Sequence, residues 1–128
     1  MLMSEARMTG YYAIAKGIAE RKHWGNLCRI LAGKNGYTGV LSWSGTMFEY
    51  LMPHIFLLLF EGSLDGESVR FCIYCQKMRR GKTEGKSVWG ISESGFYAFD
   101  PQMNYQYKAN GVQKLALCRG MDEELVIS

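Results

Sequence analysis

Residues 50–60 (YLMPHIFLLLF) form the most apolar stretch of the chain, with no Asp, Glu, Lys or Arg in 11 residues. Such a run needs a core to enter, and it sets the first condition on any fold. It is well short of the roughly 20 residues needed to span a bilayer, and Pro53 and His54 interrupt it. Thr46, followed three residues later by Glu49, makes a T-x-x-E capping box just ahead of the run. The pattern therefore predicts a helix from Thr46 to about Phe60, kinked by Pro53, apolar nearly all round and buried on most sides.

A chain of 128 residues has room for one such core. Hydrophobic residues make up 48% of it, which argues against disorder. Glycine is abundant at 15 residues while proline numbers 2, so the surplus glycine is not a linker composition. It fits loops that need positive φ or close backbone approach. A net charge of +3 is too small to make nucleic acid the default partner. The start, MLMSEARMTG, has no apolar run behind a basic residue, so the cysteines (Cys28, Cys72, Cys75, Cys118) read as reduced thiols in a cytoplasmic chain. The segment itself is expected to make no membrane contact, and any membrane association is left to a parent protein.

Around the apolar run the periodicity is mainly helical. Ser4 can cap a helix carrying Met8, Tyr11, Tyr12, Ala15 and Ile18 on one face, with Glu5 in its first turn and Arg21 and Lys22 at its end. His23 to Leu31 predicts a second short helix, stopped by Gly33. A glycine-rich loop follows, in which Val40 to Trp43 reads as a brief strand. Asp65 or Ser68 opens a further helix that Gly81 ends, with a polar tail behind it. Residues 88–113 show neither a period of 2 nor of 3.6, and long ordered loops of this kind are usually functional. Residues 113–119 predict a last turn or two of helix before the DEELVIS end.

Three carboxylates stand apart from other charges, in aromatic or small-residue surroundings: Glu49, Glu93 and Asp100. A carboxyl group among Trp, Phe and Tyr tends to be desolvated, which raises its pKa toward the range a general acid uses. Trp43, Tyr50, Trp89, Tyr97, Tyr105 and Tyr107 offer ring faces, and Asn104, Gln106 and Asn110 offer polar tips, the combination a sugar ring requires. Each residue also has a structural explanation. Glu49 is the N3 residue of a capping box, Glu93 is a loop acid within reach of neighbouring hydroxyls, Asp100 before Pro101 initiates a turn, and Glu5 compensates a helix dipole. The aromatics would by default be core.

Other chemistries find less support. Cys72 and Cys75 form a C-x-x-C inside a predicted helix with no second ligand pair, so no metal site is expected. Lys77, Arg79, Arg80, Lys82 and Lys86 read as a solvated face at a helix end. No glycine-rich nucleotide motif is present and no cofactor is called for.

The strings SWSGTMFEYLMP, VWGISESGFYAFD and NYQYKANGVQKLALCRG, together with SEARMTGYYAIAKG and KHW near the start, closely resemble the glycoamylase-like domain of cyclic β-1,2-glucan synthases, large proteins that also carry a cellobiose-phosphorylase-like region. The resemblance covers nearly the whole chain in the family's order, while the family's domain extends well beyond both ends, so residues 1–128 read as a single partial domain. The resemblance implies a mainly α fold, an incomplete part of an (α/α)6 toroid with long glycine- and aromatic-rich loops and one short β hairpin. It implies a domain that cleaves linear β-1,2-glucan and rejoins it into a ring, and an isolated chain that is inactive without its parent. A non-catalytic glycan-binding or structural segment is the alternative. The candidate catalytic residues are Glu93, first as acid/base, with Glu5 or Glu49 as nucleophile or stabiliser. Arg7 and Asp100 would orient carboxylates or bind hydroxyls, with Trp43, Tyr50, Trp89, Tyr97, Tyr105 and Tyr107 as sugar contacts. The implied partners are a β-glucan oligosaccharide or polysaccharide and the rest of the parent polypeptide.

Overall fold

A computed structural model describes residues 1–80, 89–90 and 92–118. In chain order the elements are α1 (Arg7–Ala15), α2 (Lys22–Gly25), β1 (Leu31–Lys34), β2 (Tyr37–Val40), α3 (Met47–Leu51), a 3₁₀ turn (Met52–Ile55), α4 (Leu64–Arg80), β3 (Glu93–Gly95) and β4 (Tyr107–Ala109). Helix takes 35% of the residues and strand 16%, the latter in two small antiparallel sheets. The fold is therefore not mainly α, and the described residues give no sign of an (α/α)6 toroid.

Local chemistry explains the departures. Asn35 and Gly36 both take positive φ, 51° and 80°, the conformation a two-residue hairpin turn requires. They close β1 onto β2 with Leu31 opposite Val40. That hairpin occupies the end of the expected second helix, which shrinks to the four residues of α2. It also moves the expected strand forward from residues 40–43 to β2.

The capping box forms as read: Thr46 accepts from the Glu49 backbone amide, and the Glu49 carboxylate accepts from that of Thr46. The helix behind it stops after five residues. Pro53 lies in the 3₁₀ turn, which satisfies only its shortest bonds. A helix that short persists through its tertiary contacts, and one face of the apolar run finds none in these residues. Phe56, Leu58, Leu59 and Phe60 are exposed.

The core lies between β2 and α4. Gly39 lets the strand approach the helix: a Cβ there would sit 2.7 Å from Ser68 Cα and 3.0 Å from Phe71 Cβ. Ser68 Oγ accepts from the Val40 amide at 2.9 Å, and Tyr50, fully buried, donates its hydroxyl to the Val40 carbonyl at 2.8 Å. Tyr37 stacks on Tyr74 of α4 with ring centroids 4.4 Å apart. α4 matches the expected helix; its expected stop at Gly81 and the polar tail lie outside the described residues. Residues 113–115 form a turn rather than helix, and Ala116 bridges Ser42, which in turn bridges Met3, so both ends of the described chain meet at the end of β2.

Arg7 locks this arrangement. Its guanidinium is buried and donates to the carbonyls of Glu49 (2.7 Å), Tyr50 (2.8 Å) and Ser4 (3.1 Å). These include carbonyls at the C-terminal end of α3, where a cation also suits the helix dipole. Arg7 can only donate, so His54 Nε2, 3.1 Å away, must accept, which leaves the His54 Nδ1 proton for the Leu57 carbonyl at 3.3 Å. Asp65 lies 3.6 Å from Arg7 Nε. Burial lowers the Arg7 pKa and the Asp65 charge opposes that shift. Lysine cannot reproduce a fork reaching several acceptors. Arg7→Met is expected to lower the free energy of unfolding by about 3 kcal/mol, because it leaves buried carbonyls unpaired. Arg7→Lys should recover less than half of that loss, and denaturant titration of the two variants reads the difference.

Candidate functional site

The S-W-S-G-T loop before α3 is folded around one carboxylate. Glu49 is 5% exposed. It accepts from the hydroxyls of Ser42 and Ser44 (2.8 Å each), from the amides of Trp43 and Thr46 (3.1 Å each) and from the Thr46 hydroxyl (3.2 Å). Two carboxylate oxygens offer about four lone-pair sites, and these donors fill them. The loop is pinned from the other side by the 112–118 segment: the Val112 amide donates to the Gly45 carbonyl at 2.9 Å, and the Cys118 amide to the Trp43 carbonyl at 3.2 Å. The loop holds Trp43 outward, exposed at the surface.

The β3–β4 hairpin docks on the first turn of α3, where helix amides lack partners within the helix. The Phe48 amide donates to Ser92 Oγ at 2.9 Å, and the Thr46 hydroxyl reaches Glu93 Oε1 at 2.9 Å. Glu93 faces Ala109 in the register, which puts Tyr107 diagonally across the hairpin, a spacing an aromatic side chain can bridge. Tyr107 donates its hydroxyl to Glu93 Oε2. Both oxygens of the half-buried Glu93 carboxylate are thereby positioned, one by Thr46 and one by Tyr107. Desolvation first, then the bond to Glu93 and the charges of Glu93, Tyr105 and Glu5 push the Tyr107 phenol well above its ordinary pKa. It is a proton donor throughout the physiological range. Glu5 is exposed, and its carboxylate accepts from the hydroxyl of its neighbour Ser4 at 3.3 Å.

The predicted site residues thus divide. Glu93 and Tyr107 meet across the β3–β4 hairpin, with Tyr105 packed over Gly95 on the same hairpin, whereas no hydrogen bond or ion pair joins Glu5 to them among the described residues. Trp43, Tyr97 and Tyr105 are exposed, while Trp89 is half-buried and lies 5.1 Å below the Lys77 ammonium. Tyr50 is core, Arg7 is bound to backbone carbonyls, and Glu49 is consumed by its own loop. Asp100 organises a turn, accepting from the amides of Gln102 (2.9 Å) and Asn104 (2.8 Å) and from the side chains of Asn104 and Gln106 (3.1 Å each). Thr46 and Ser92 were not expected in the site. The capping box flagged Thr46 as a hydrogen-bonding residue, but its contact with Glu93, 47 residues away, is set by the tertiary fold. Cys72 and Cys75 are buried on α4, where burial raises both thiols, Cys72 to about 12. Of the basic run, Lys82 and Lys86 lie outside the described residues.

No family model matches the chain. It is 38% identical over all 128 residues to the cyclic beta-(1,2)-glucan synthase NdvB of Rhizobium meliloti (strain 1021). The chain is related to part of a glucan synthase. It spans 4% of that relative's length, so the correspondence is with one small portion of a much longer polypeptide.

The hydrogen bonds to Asp100 hold its carboxyl below the ordinary carboxylate pKa, with the Asn104 amide as the largest cause. A depressed folded-state pKa contributes stability above the unfolded value, and that contribution is lost as pH falls through the folded value. The stability difference between the chain and its Asp100→Asn variant should therefore be constant above about pH 5 and shrink progressively in acid. Unfolding curves recorded across that range test this, and a difference that persists unchanged at the acid limit would remove the charge-based account of the turn.

Proposed function

We propose that this chain carries the acid/base and nucleophile pair of a site that cleaves and transfers β-1,2-glucan, within a longer domain of which residues 1–128 are a part. The observation that carries the reading is the Glu93 carboxyl held by Thr46 and Tyr107, with the rings of Trp43 and Tyr105 at the surface; the exposed Glu5 enters as nucleophile on the resemblance of its SEAR string and because Glu49 is occupied by its own loop. The relationship to part of a glucan synthase supports a glucan as the substrate class.

In the proposed reaction Glu5 attacks the anomeric carbon while Glu93 gives its proton to the glycosidic oxygen. The carbon–oxygen bond breaks, the leaving saccharide departs as an alcohol, and the remaining glycan is esterified to Glu5. Glu93, now a carboxylate stabilised by the Tyr107 and Thr46 hydroxyls, then takes the proton of an incoming sugar hydroxyl, which displaces Glu5. Two carboxyls used in this order retain anomeric configuration. Glu49 is not assigned a chemical step because its lone pairs already serve its own loop; its role here is to position Thr46. A second reading, glycan binding without turnover, is favoured by the exposure of Trp43, Tyr97 and Tyr105, which suits stacking on sugars.

Replacing the matching portion of the Rhizobium meliloti synthase with these 128 residues and assaying conversion of linear β-1,2-glucan tests the reading. Glu93→Gln and Glu5→Gln in that chimera should each lose at least ~10² in rate, with protein level and fold unchanged, whereas Glu49→Gln should lower thermal stability first. Full activity in both the Glu93 and Glu5 variants would remove them from catalysis. Calorimetric binding of β-1,2-glucan with no turnover in the chimera would favour the binding reading.

A further inference from the structure

The face of the β3–β4 hairpin that carries Glu93 also carries a ring seated on a glycine. In an antiparallel pair, residues opposite one another share a face, and so do residues two apart on one strand. Glu93 lies opposite Ala109 and Gly95 opposite Tyr107. The ladder continues one pair further, since the Phe96 amide donates to the Gln106 carbonyl at 2.9 Å. Tyr105 therefore shares the face of Glu93, Gly95 and Tyr107. The two tyrosines lean the same way: Tyr107 reaches diagonally to Glu93, and Tyr105 diagonally to Gly95. A Cβ at residue 95 would collide with Tyr105 Oη and lie 2.8 Å from its Cζ and 3.1 Å from its Cε2. The phenol end of Tyr105 thus fills the space of the missing side chain, a close approach that glycine permits.

The strand end that carries this ring is also fixed. Asn104 and Gln106, on either side of Tyr105, both donate side-chain amides to Asp100 at 3.1 Å, and the Asn104 backbone amide donates to it at 2.8 Å. Tyr105 nevertheless stays 64% exposed. The other rings differ. Tyr50 is core, the Tyr107 hydroxyl serves Glu93, and Lys77 Nζ stands over Trp89.

We propose that Tyr105 is the platform for the sugar next to the bond that Glu93 protonates, and that Gly95 is the residue that positions it. This rests on the reading of Glu93 as acid/base in a glucan site. A pyranose stacks the C–H groups of one face on an aromatic ring and keeps its hydroxyls at the rim, where a phenol can meet them. Two residues along a strand span about 7 Å, so the Tyr105 ring stands one such step from Tyr107, whose hydroxyl is bound to Glu93. A saccharide lying along the hairpin puts one ring on Tyr105 and its glycosidic oxygen toward the carboxyl. A ring already seated on backbone loses little freedom when the sugar arrives.

Steady-state kinetics on linear β-1,2-glucan, in the chimera that carries these 128 residues, tests this. Tyr105→Ala should raise KM about tenfold while kcat changes less than ~2-fold, the pattern of lost uniform binding. Tyr105→Phe keeps the ring and should return KM to within ~2-fold of the parent. Gly95→Ala displaces the ring and should raise KM as Tyr105→Ala does; added to Tyr105→Ala it should change nothing further, because the space is then empty. An unchanged KM in Tyr105→Ala, or an equal effect of Gly95→Ala in both backgrounds, would overturn the proposal. A parent chimera without activity, or a Glu93→Gln chimera with full activity, removes the acid/base reading and the platform together. Loss of rate in Glu93→Gln with an unchanged KM in Tyr105→Ala removes the platform and leaves the acid/base reading standing.

Discussion

α3 is five residues long and would not persist alone in water. It is fixed because a charge is buried at each end. The Glu49 carboxylate collects the hydroxyls and amides of the loop leading into the helix, and the Arg7 guanidinium collects the carbonyls leading out. Both charges are compensated largely by hydrogen bonds, which is the condition for leaving them out of water; Arg7 Nε makes none and instead faces the Asp65 carboxylate at 3.6 Å. The consequences run through the chain. Arg7 brings the N-terminal segment onto α3, Tyr50 ties the same helix to β2, and the 112–118 segment closes on the loop that Glu49 has shaped. Three parts of the sequence far apart in number meet at one turn and a half of helix.

The parts of this fold that were legible in the sequence are those set by local hydrogen-bond chemistry. The capping box at Thr46 and Glu49 formed as read, and so did the amphipathic α4. The Asn35–Gly36 hairpin was legible in principle, since that dipeptide is the strongest short signal for a two-residue turn. It was obscured by the helical reading of His23 to Leu31, which claims Leu31, the first residue of β1. The failure at residues 52–60 has a different cause. Apolar character says that a segment is to be buried, and it carries no information on whether the burying surface belongs to the same 128 residues. A helix was predicted because a core was assumed; without one, Pro53 and the 3₁₀ turn decide the backbone.

The candidate site shows the same division. Isolation of Glu49, Glu93 and Asp100 from other charges leads to an expectation of desolvated, pKa-raised carboxyls, and Asp100 departs from it: its carboxylate lies at the surface and its turn hydrogen bonds lower its pKa. What isolation could not separate is a carboxylate that organises a loop from one that is presented at a surface. The difference lies in the number of donors each one meets: Glu49 and Asp100 each collect several from residues close in sequence. Glu93 has Thr46 and Tyr107 as its partners, both distant in sequence. Asx turns and capping boxes are local and can be counted from spacing. A pair formed across a hairpin requires the register, and the register of β3 with β4 rests on three residues in each strand.

The structural and the functional readings of these carboxylates are joined at Thr46. Its hydroxyl has one proton and lies 2.9 Å from Glu93 Oε1 and 3.2 Å from Glu49 Oε2, while its oxygen accepts from the Glu49 amide. It can donate to one carboxylate at a time. The donors from the loop satisfy Glu49 without it, so the shorter contact, to Glu93, is the one that needs the proton. Thr46 thus ties the loop that Glu49 folds to the carboxylate of Glu93. For this reason the scaffold and the candidate acid cannot be varied separately: a substitution at Glu49 that disturbs the loop also disturbs the hydroxyl that holds Glu93.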